Sequence, residues 1–261
     1  MLQCPHHKRN LPNFQLIFRF QEDVLQETLI VRLIMVFDQW WMEQGLDLKM
    51  MTLKTVQIDD MIGYTQVIEN GETLKNICEK HGAGLASGDR NAVMKYIESH
   101  NKTKAKVAAL EYFRRSLAGY CVATYVIGIV ERHYSYYVIH EDGRFFHKYF
   151  GEQIFGGPKR DKTMIAFTRE MESALMEKEN KATDMNYFYN ICYSAIIILR
   201  KNSHQLLNLI AMMQVTNIPC FNTEGVLDFV RTQLNLDGND ADACQNVELL
   251  DIVQTCHGGI T

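Results

Sequence analysis

A long apolar segment that runs into a charged turn constrains this fold more than any other feature. Residues 105–127 predict a long helix, and the charged turn 131–133 follows shortly after it. Residues 136–140 and 144–148 have strand character, and the turn 141–143 between them ends in Asp-Gly, which is a hairpin signal. A rigid helix and hairpin can hold short loops in place, so the loop ends of this stretch are where chemistry is expected first.

The chain before this stretch carries strand patterns and one long helix. Alternating apolar and polar residues predict a strand at 14–20, and apolar residues three and four apart predict a helix over 23–44. Gly45 is placed to close that helix in a left-handed conformation. Two strands and a turn are predicted next: 53–58, 63–69 and Asn70-Gly71.

The chain after residue 71 is mainly helical by pattern. A break near Gly119 stays open within the segment 105–127. Asn222 is expected to cap a helix that ends near Asn235. The other predicted helices are 72–81, 91–99, 163–179, 187–200, 204–214 and 242–255. A small front part with strands therefore precedes a mainly helical back part.

Bulk composition excludes several classes of protein. The chain has 261 residues, of which 47% are hydrophobic, so it can bury a sizeable core. Its formal net charge of -4 provides no basic field for nucleic acid. No apolar run reaches the ~18 residues of a membrane-spanning helix. The first residues contain no apolar segment of a secretory signal, so a cytoplasmic location is expected.

Zinc and calcium sites are not expected from the sequence. The seven cysteines include no C-x-x-C pair, and their odd number favours reduced thiols. The segment 237–240 lacks the ligand spacing of a calcium loop and is interpreted as a turn followed by a helix start. The glycines of 82–88 have the wrong spacing for a nucleotide-binding loop and predict an ordinary loop.

The order of these features resembles the catalytic domain of class I phosphatidylinositol 3-kinases, within the PI3/PI4-kinase family. The matching segments are Phe18-Arg19, the acidic pair Glu22-Asp23, residues 118–125, Arg132-His133 and Phe150-Gly151. The resemblance covers nearly the whole chain from about residue 14. It implies an α+β, bilobal, protein-kinase-like fold in a divergent and truncated form. The incomplete small lobe, with a few antiparallel strands and a long helix, would span 1–69, and the mainly helical large lobe 70–261.

The resemblance also implies positions for a phosphoryl-transfer site that uses ATP and Mg²⁺. The catalytic residues would be Glu131, Arg132 and His133. The ATP-binding residues would be Arg19, Glu27, the hinge Gln66, Val67 and Ile68, and the adenine-lining Val138 and Lys148. Basic residues that would contact the lipid headgroup are Lys159, Arg160 and Lys162.

Several of these positions depart from the family pattern. Arg19 replaces a phosphate-binding lysine, and Lys148 places a charge where the family has an apolar residue against adenine. Tyr136 replaces the metal-binding Asn, and Tyr149 replaces the Asp of Asp-Phe-Gly. Because Mg²⁺ prefers carboxylates and phosphate oxygens, a protein metal site is not expected here. Losing both ligands should cost several orders of magnitude in rate.

Three interpretations of the chain follow from these departures. The first is a pseudokinase, whose tyrosines fill a collapsed cleft and whose Arg132 and His133 only hold their loop. The alternative is an active phosphatidylinositol 3-kinase with rearranged metal ligation, in which Glu131 or Glu152 recruits the metal. The third is a non-functional gene-duplicate fragment. A phosphoinositide lipid and peripheral attachment to membranes are expected from the resemblance, and a regulatory adaptor is expected only within a longer chain.

Overall fold

The structure is a computed structural model of the chain. It describes residues 2–4, 14–20, 24–59, 62–81, 90–129, 133–150, 154–155, 167–176, 181–216, 218, 220–222 and 224–248.

The front part of the chain forms a four-stranded antiparallel sheet, in the strand order β1-β2-β4-β3. Its strands are β1 (Leu2–Cys4), β2 (Phe14–Phe20), β3 (Thr55–Asp59) and β4 (Ile62–Gln66). Gly63 lies opposite Arg19 in the β2–β4 register, and a Cβ added to it would come 2.4 Å from Val24 Cγ1. The sheet therefore approaches the start of the following helix closely at this point.

The helix α1 (Val24–Glu43) joins the front sheet to the back part of the chain. Of the face that the spacing of three and four residues predicts, Leu33 and Trp40 are buried. Leu25, Leu29 and Val36 are partly buried against the core. The indole Nε1 of Trp41 donates a hydrogen bond to the Ala195 carbonyl over 3.0 Å, which ties α1 to a helix far along the sequence. Gly45 closes the helix with a φ of 77°, which confirms the expected left-handed ending.

The predicted hairpin belongs to a second antiparallel sheet that packs against the longest helix. Its strands are β5 (Gly71–Thr73), β6 (Tyr137–His140) and β7 (Phe145–His147). The helix α4 (Lys104–Ile127) is continuous and ends at Gly128, whose φ is 71°. A break near Gly119 is therefore wrong. Gly119 instead allows close packing, because a Cβ there would lie 2.4 Å from Met50 Sδ.

The remaining elements are helical, and the buried α4 contacts several of them, including α6. They are α2 (Leu74–His81), α3 (Ala92–His100), α5 (Arg169–Leu175), α6 (Lys181–Lys201), α7 (Ser203–Met213), a 3-10 turn (Gln214–Thr216), α8 (Val226–Gln233) and α9 (Asp240–Glu248). The structure has the predicted α+β class, with two small antiparallel sheets and a partial small lobe. Among the described helices, none combines the length and the hydropathy that crossing a bilayer requires.

Two local predictions are corrected by the structure. Residues 72 and 73 belong to β5 and not to the first turn of a helix, because they pair with β6 in the register Thr73↔Val138. Asn222 is not a helix cap, since the residue before α8 is Gly225, with a φ of 84°. The predicted helix ends at 163–166, 177–179 and 249–255 lie outside the described residues.

Arg200 on α6 fixes the end of α8, and its removal should destabilise the fold. Its guanidinium donates to the carbonyls of Leu234 and Asn235, and to that of Gly238 over 2.9 Å. Arg200→Met should lower the free energy of unfolding by about 2 kcal/mol, because these carbonyls lose a charged donor. Urea titration measures this loss. The exposed neighbour variant Lys201→Met is the control, and equal losses in both variants would contradict the assignment.

Candidate functional site

The β6–β7 hairpin has two faces with different surroundings. Tyr137 pairs with His147, and Phe145 lies beside them on the face toward α4, where the Tyr120 ring stacks on His147. Val138 pairs with Phe146 on the opposite face, where both side chains are buried. This face lies against Gly71, where an added Cβ would meet Val138 Cγ1 at 2.9 Å.

Two residues at predicted site positions, Tyr136 and Lys148, lie just beyond the paired ends of β6 and β7. The Lys148 N–H donates to the Tyr136 carbonyl over 2.9 Å, which extends the β6–β7 pairing by one step. Tyr136 lies in the turn before β6, and Lys148 directly follows the last residue of β7. Lys148 is exposed, whereas the preceding His147 is buried.

The two residues at the family's metal positions contact one another. The rings of Tyr136 and Tyr149, which we call the tyrosine pair, have centroids 4.8 Å apart and are tilted by 49°. The His133 ring lies 5.5 Å from the Tyr136 ring on the other side. Two predicted metal positions and one predicted catalytic residue are therefore brought together as an aromatic cluster.

The loop that carries His133 is held in one arrangement by two hydrogen bonds. The Ser135 N–H donates to His133 Nδ1 over 3.2 Å, so this nitrogen carries no proton and the ring proton lies on Nε2. The Tyr134 hydroxyl donates to the Glu170 carboxylate over 3.1 Å, which attaches the loop to α5. His133 thus presents an N–H donor and not a basic nitrogen at Nε2.

His147 is a buried residue of the site that sequence reasoning missed. It stacks between Tyr120, with centroids 5.2 Å apart, and Phe150, with centroids 6.0 Å apart. Within the described residues its Nδ1 has no hydrogen-bond partner. Burial lowers the pKa of His147 to about 3, so the ring is neutral. The signal that could have found it is its strand position, two residues after the inward-facing Phe145.

The predicted phosphate-binding pair forms between the front sheet and α1. Arg19 on β2 makes a charged hydrogen bond to the Glu27 carboxylate. Their side chains are only 12% and 6% exposed, so this pair is largely shielded from water. The Arg19 charge is therefore balanced within the protein before any nucleotide arrives.

The predicted hinge residues lie at the end of β4, and the N–H groups of two of them already donate hydrogen bonds to backbone carbonyls. The Gln66 N–H donates to the Lys54 carbonyl over 2.8 Å, and the Val67 N–H donates to the Gln15 carbonyl over 2.9 Å. Adenine contacts at these two amides would break sheet hydrogen bonds. The prediction that backbone groups of 66–68 hold adenine stays a prediction.

Several predicted site residues fall outside the described part of the chain. They are Glu131, Arg132, Glu152, Lys159, Arg160 and Lys162.

The donor set at the two predicted metal positions does not fit Mg²⁺. This ion requires hard oxygen ligands in near-octahedral geometry, and a neutral phenol is a poor substitute for a carboxylate. The ring contact between Tyr136 and Tyr149 places aromatic carbon against aromatic carbon at these positions. No group of three or more His, Cys, Asp or Glu residues suited to a metal occurs among the described residues.

The α+β fold is consistent with a kinase-like domain, and the comparisons with known proteins give its class. The model of the family described as phosphatidylinositol 3- and 4-kinase matches residues 13–223, and the chain belongs to this family. It is 33% identical over 236 residues to the human phosphatidylinositol 3-kinase C2 domain-containing subunit gamma, a match that covers 88% of this chain and 16% of the relative.

Similar relatives occur in distant organisms. The chain is 33% identical over 241 residues to phosphatidylinositol 3-kinase 1 of Dictyostelium discoideum. This match covers 90% of this chain and 15% of the relative. It is 31% identical over 252 residues to phosphatidylinositol 3-kinase piki-1 of Caenorhabditis elegans, which covers 94% of this chain and 15% of the relative. The chain thus spans only about 15% of the length of the curated relatives it matches.

Proposed function

We propose that this chain is a phosphatidylinositol 3-kinase-type catalytic domain in which metal-dependent phosphoryl transfer is impaired. The reaction implied by the family is ATP-dependent phosphorylation of the inositol ring of a phosphoinositide. The observation that carries the proposal is the contact between Tyr136 and Tyr149, with ring centroids 4.8 Å apart at the two metal positions. The aromatic pair occupies the place where the reaction needs charged oxygen ligands.

The size of the impairment follows from the chemistry of phosphoryl transfer. Metal ions neutralise the charge that develops on the transferred group, and this contribution is worth several kcal/mol. Each ~1.4 kcal/mol corresponds to a factor of ten in rate. Without the two ligands, transfer should be slower by several orders of magnitude.

The residues that keep the character of the family pattern are suited to structural support and ligand binding more than to catalysis. Arg19 and Glu27 form a shielded ion pair, which holds β2 against α1. His133 offers an Nε2–H donor that could hydrogen-bond an anionic oxygen. When bound, Mg²⁺ would supply charge neutralisation, but the residues at 136 and 149 do not provide it with ligands.

Other features of the proposal rest on the family resemblance. They are the lobe boundaries 1–69 and 70–261, catalytic roles for Glu131 and Arg132, headgroup contacts from Lys159, Arg160 and Lys162, and ATP as the nucleotide. A phosphoinositide lipid is the proposed partner, and an adaptor is proposed only within a longer chain. We propose a cytoplasmic location with peripheral attachment to membranes. Nucleic-acid, zinc and calcium binding form no part of the proposal.

A lipid phosphorylation assay tests the proposed function. The purified chain is incubated with phosphatidylinositol vesicles, radiolabelled ATP and Mg²⁺, and the lipid product is separated and counted. We expect no product above the level of a protein-free reaction. Mg²⁺-dependent product that disappears with His133→Ala would overturn the proposal and favour the alternative of rearranged metal ligation.

A further inference from the structure

The front sheet has one face against α1 and one face turned away from it. Arg19 and Gly63 are paired in the β2–β4 register. Arg19 bonds to Glu27 on α1, and a Cβ on Gly63 would meet Val24 Cγ1 at 2.4 Å, so these residues mark the face that packs on α1. Because side chains alternate along a strand, the residues on either side of Arg19 and Gly63 point to the opposite face.

Apolar side chains cover this second face, which we call the outer face (Phe18, Phe20, Val56 and Tyr64). Tyr64 on β4 pairs with Phe18 on β2 on one side and with Val56 on β3 on the other. The rings of Phe18 and Tyr64 have centroids 5.5 Å apart. Phe18, Phe20 and Val56 are 47%, 55% and 61% exposed. Three neighbouring strands therefore present large apolar side chains to solvent.

We propose that the outer face is the interface of a weak dimer of two copies of this chain. A twofold axis would place the outer face of one copy on that of the other, as the two sheets of a β-sandwich pack. This inference goes beyond the proposed function, because the outer face lies on the other side of the sheet from Arg19. It requires neither nucleotide nor phosphoryl transfer.

The charge of the outer face favours a second copy over other occupants. Its four side chains are uncharged, and charged residues occur at the rim, where Lys54 precedes β3 and Asp59 ends it. An anionic lipid surface attracts clusters of Lys and Arg, and a charged peptide requires opposite charges across the interface. When two outer faces pack together, no like charges meet at the centre. The outer face is thus complementary to itself.

The size of the outer face fits a weak association. Its exposed apolar side chains amount to roughly 300–400 Å² in each copy, since an aromatic side chain can bury about 200 Å². With a surrounding rim, two copies would bury about 1,000 Å² in total, which is near the lower limit of specific interfaces. We therefore expect a reversible dimer with a micromolar dissociation constant and not an obligate dimer.

Sedimentation equilibrium of the purified chain over a range of concentrations tests this inference. We expect a monomer–dimer equilibrium that changes little when NaCl is raised, because salt does not screen an apolar contact. Val56→Glu adds a charge to the contact in both copies at once, so it should weaken dimerisation by about 100-fold or more. Phe20→Ser removes apolar area without adding a charge and should weaken dimerisation by about 10-fold.

Val107→Glu is the matched control, because Val107 is 71% exposed and lies on α4. It adds the same charge outside the proposed interface and should leave dimerisation unchanged, while circular dichroism checks that each variant is folded. The inference is overturned if the chain stays monomeric at all concentrations, or if Val56→Glu and Val107→Glu have equal effects. It is also overturned if the chain stays monomeric and binds phosphatidylserine vesicles in a way that Val56→Glu abolishes.

Discussion

Acidification from about pH 6.5 to about pH 4 should lower the free energy of unfolding by ~3 kcal/mol through His147 alone. Burial lowers the pKa of His147 from 6.5 to about 3, because the charged ring would lose its hydration between Tyr120 and Phe150. Below the pKa that His147 has in the unfolded chain, the unfolded chain binds a proton at His147 and the folded chain does not. The stabilisation is therefore complete above pH 6.5 and is lost as the pH falls toward 3.

His147→Phe is the variant that isolates this effect. A phenyl ring keeps the stacking geometry but cannot take up a proton. The slope of the free energy of unfolding against pH should therefore be smaller, by the equivalent of nearly one proton, around pH ~5. Urea titrations at several pH values measure the slope. His204→Gln, at an exposed position on α7, is the matched control. If His204→Gln changes the slope as much as His147→Phe, or if neither variant changes it, the burial argument fails.

Gly143→Ala should destabilise the fold by about 4 kcal/mol, since a positive φ and a backbone clash act together. Gly143 has a φ of 95°, and an added Cβ would lie 2.1 Å from the Ala109 carbonyl oxygen. The added Cβ of Gly143 would lie in a tight turn and the Ala109 carbonyl lies in α4. Neither atom can therefore move without a large cost in free energy. The hairpin would have to shift away from α4.

Gly225→Ala provides a matched comparison for the Gly143 variant. Gly225 also has a positive φ, of 84°, but no atom of the described residues lies within 4 Å of its added Cβ. Its substitution should cost only about 1 kcal/mol, the price of the left-handed conformation alone. Thermal unfolding followed by circular dichroism measures both variants. Similar losses at the two positions would show that the contact with Ala109 does not matter.

The strong periodic patterns of the chain predicted its elements well. The strand β2 has the predicted limits, and no end of α1 or α4 differs from its predicted limit by more than one residue. Short elements were less predictable, because a three-residue strand has no period of its own. Residues 71–73 become β5 only because β6 lies beside them, and β6 comes from a segment more than sixty residues later.

The site was predictable in its composition but not in its contacts. A family pattern points to Tyr136 and Tyr149, yet no pattern reveals that their rings touch. The same holds for Arg19 and Glu27, whose pairing depends on how β2 meets α1. His147 escaped prediction because a single histidine within an apolar strand looks like any other strand residue. Its burial depends on Tyr120, which a separate helix supplies.

The tyrosine pair changes how the two sides of the site are joined. A metal ion would link the loop of residue 136 to the segment of residue 149 only while it is bound, so ligand release would free one side from the other. Ring contact makes that link part of the folded chain itself. Nucleotide binding should then cost little ordering of these two segments, and nucleotide release should loosen them little. If the chain binds nucleotide as proposed, residues 136 and 149 should stay in contact both with and without the ligand.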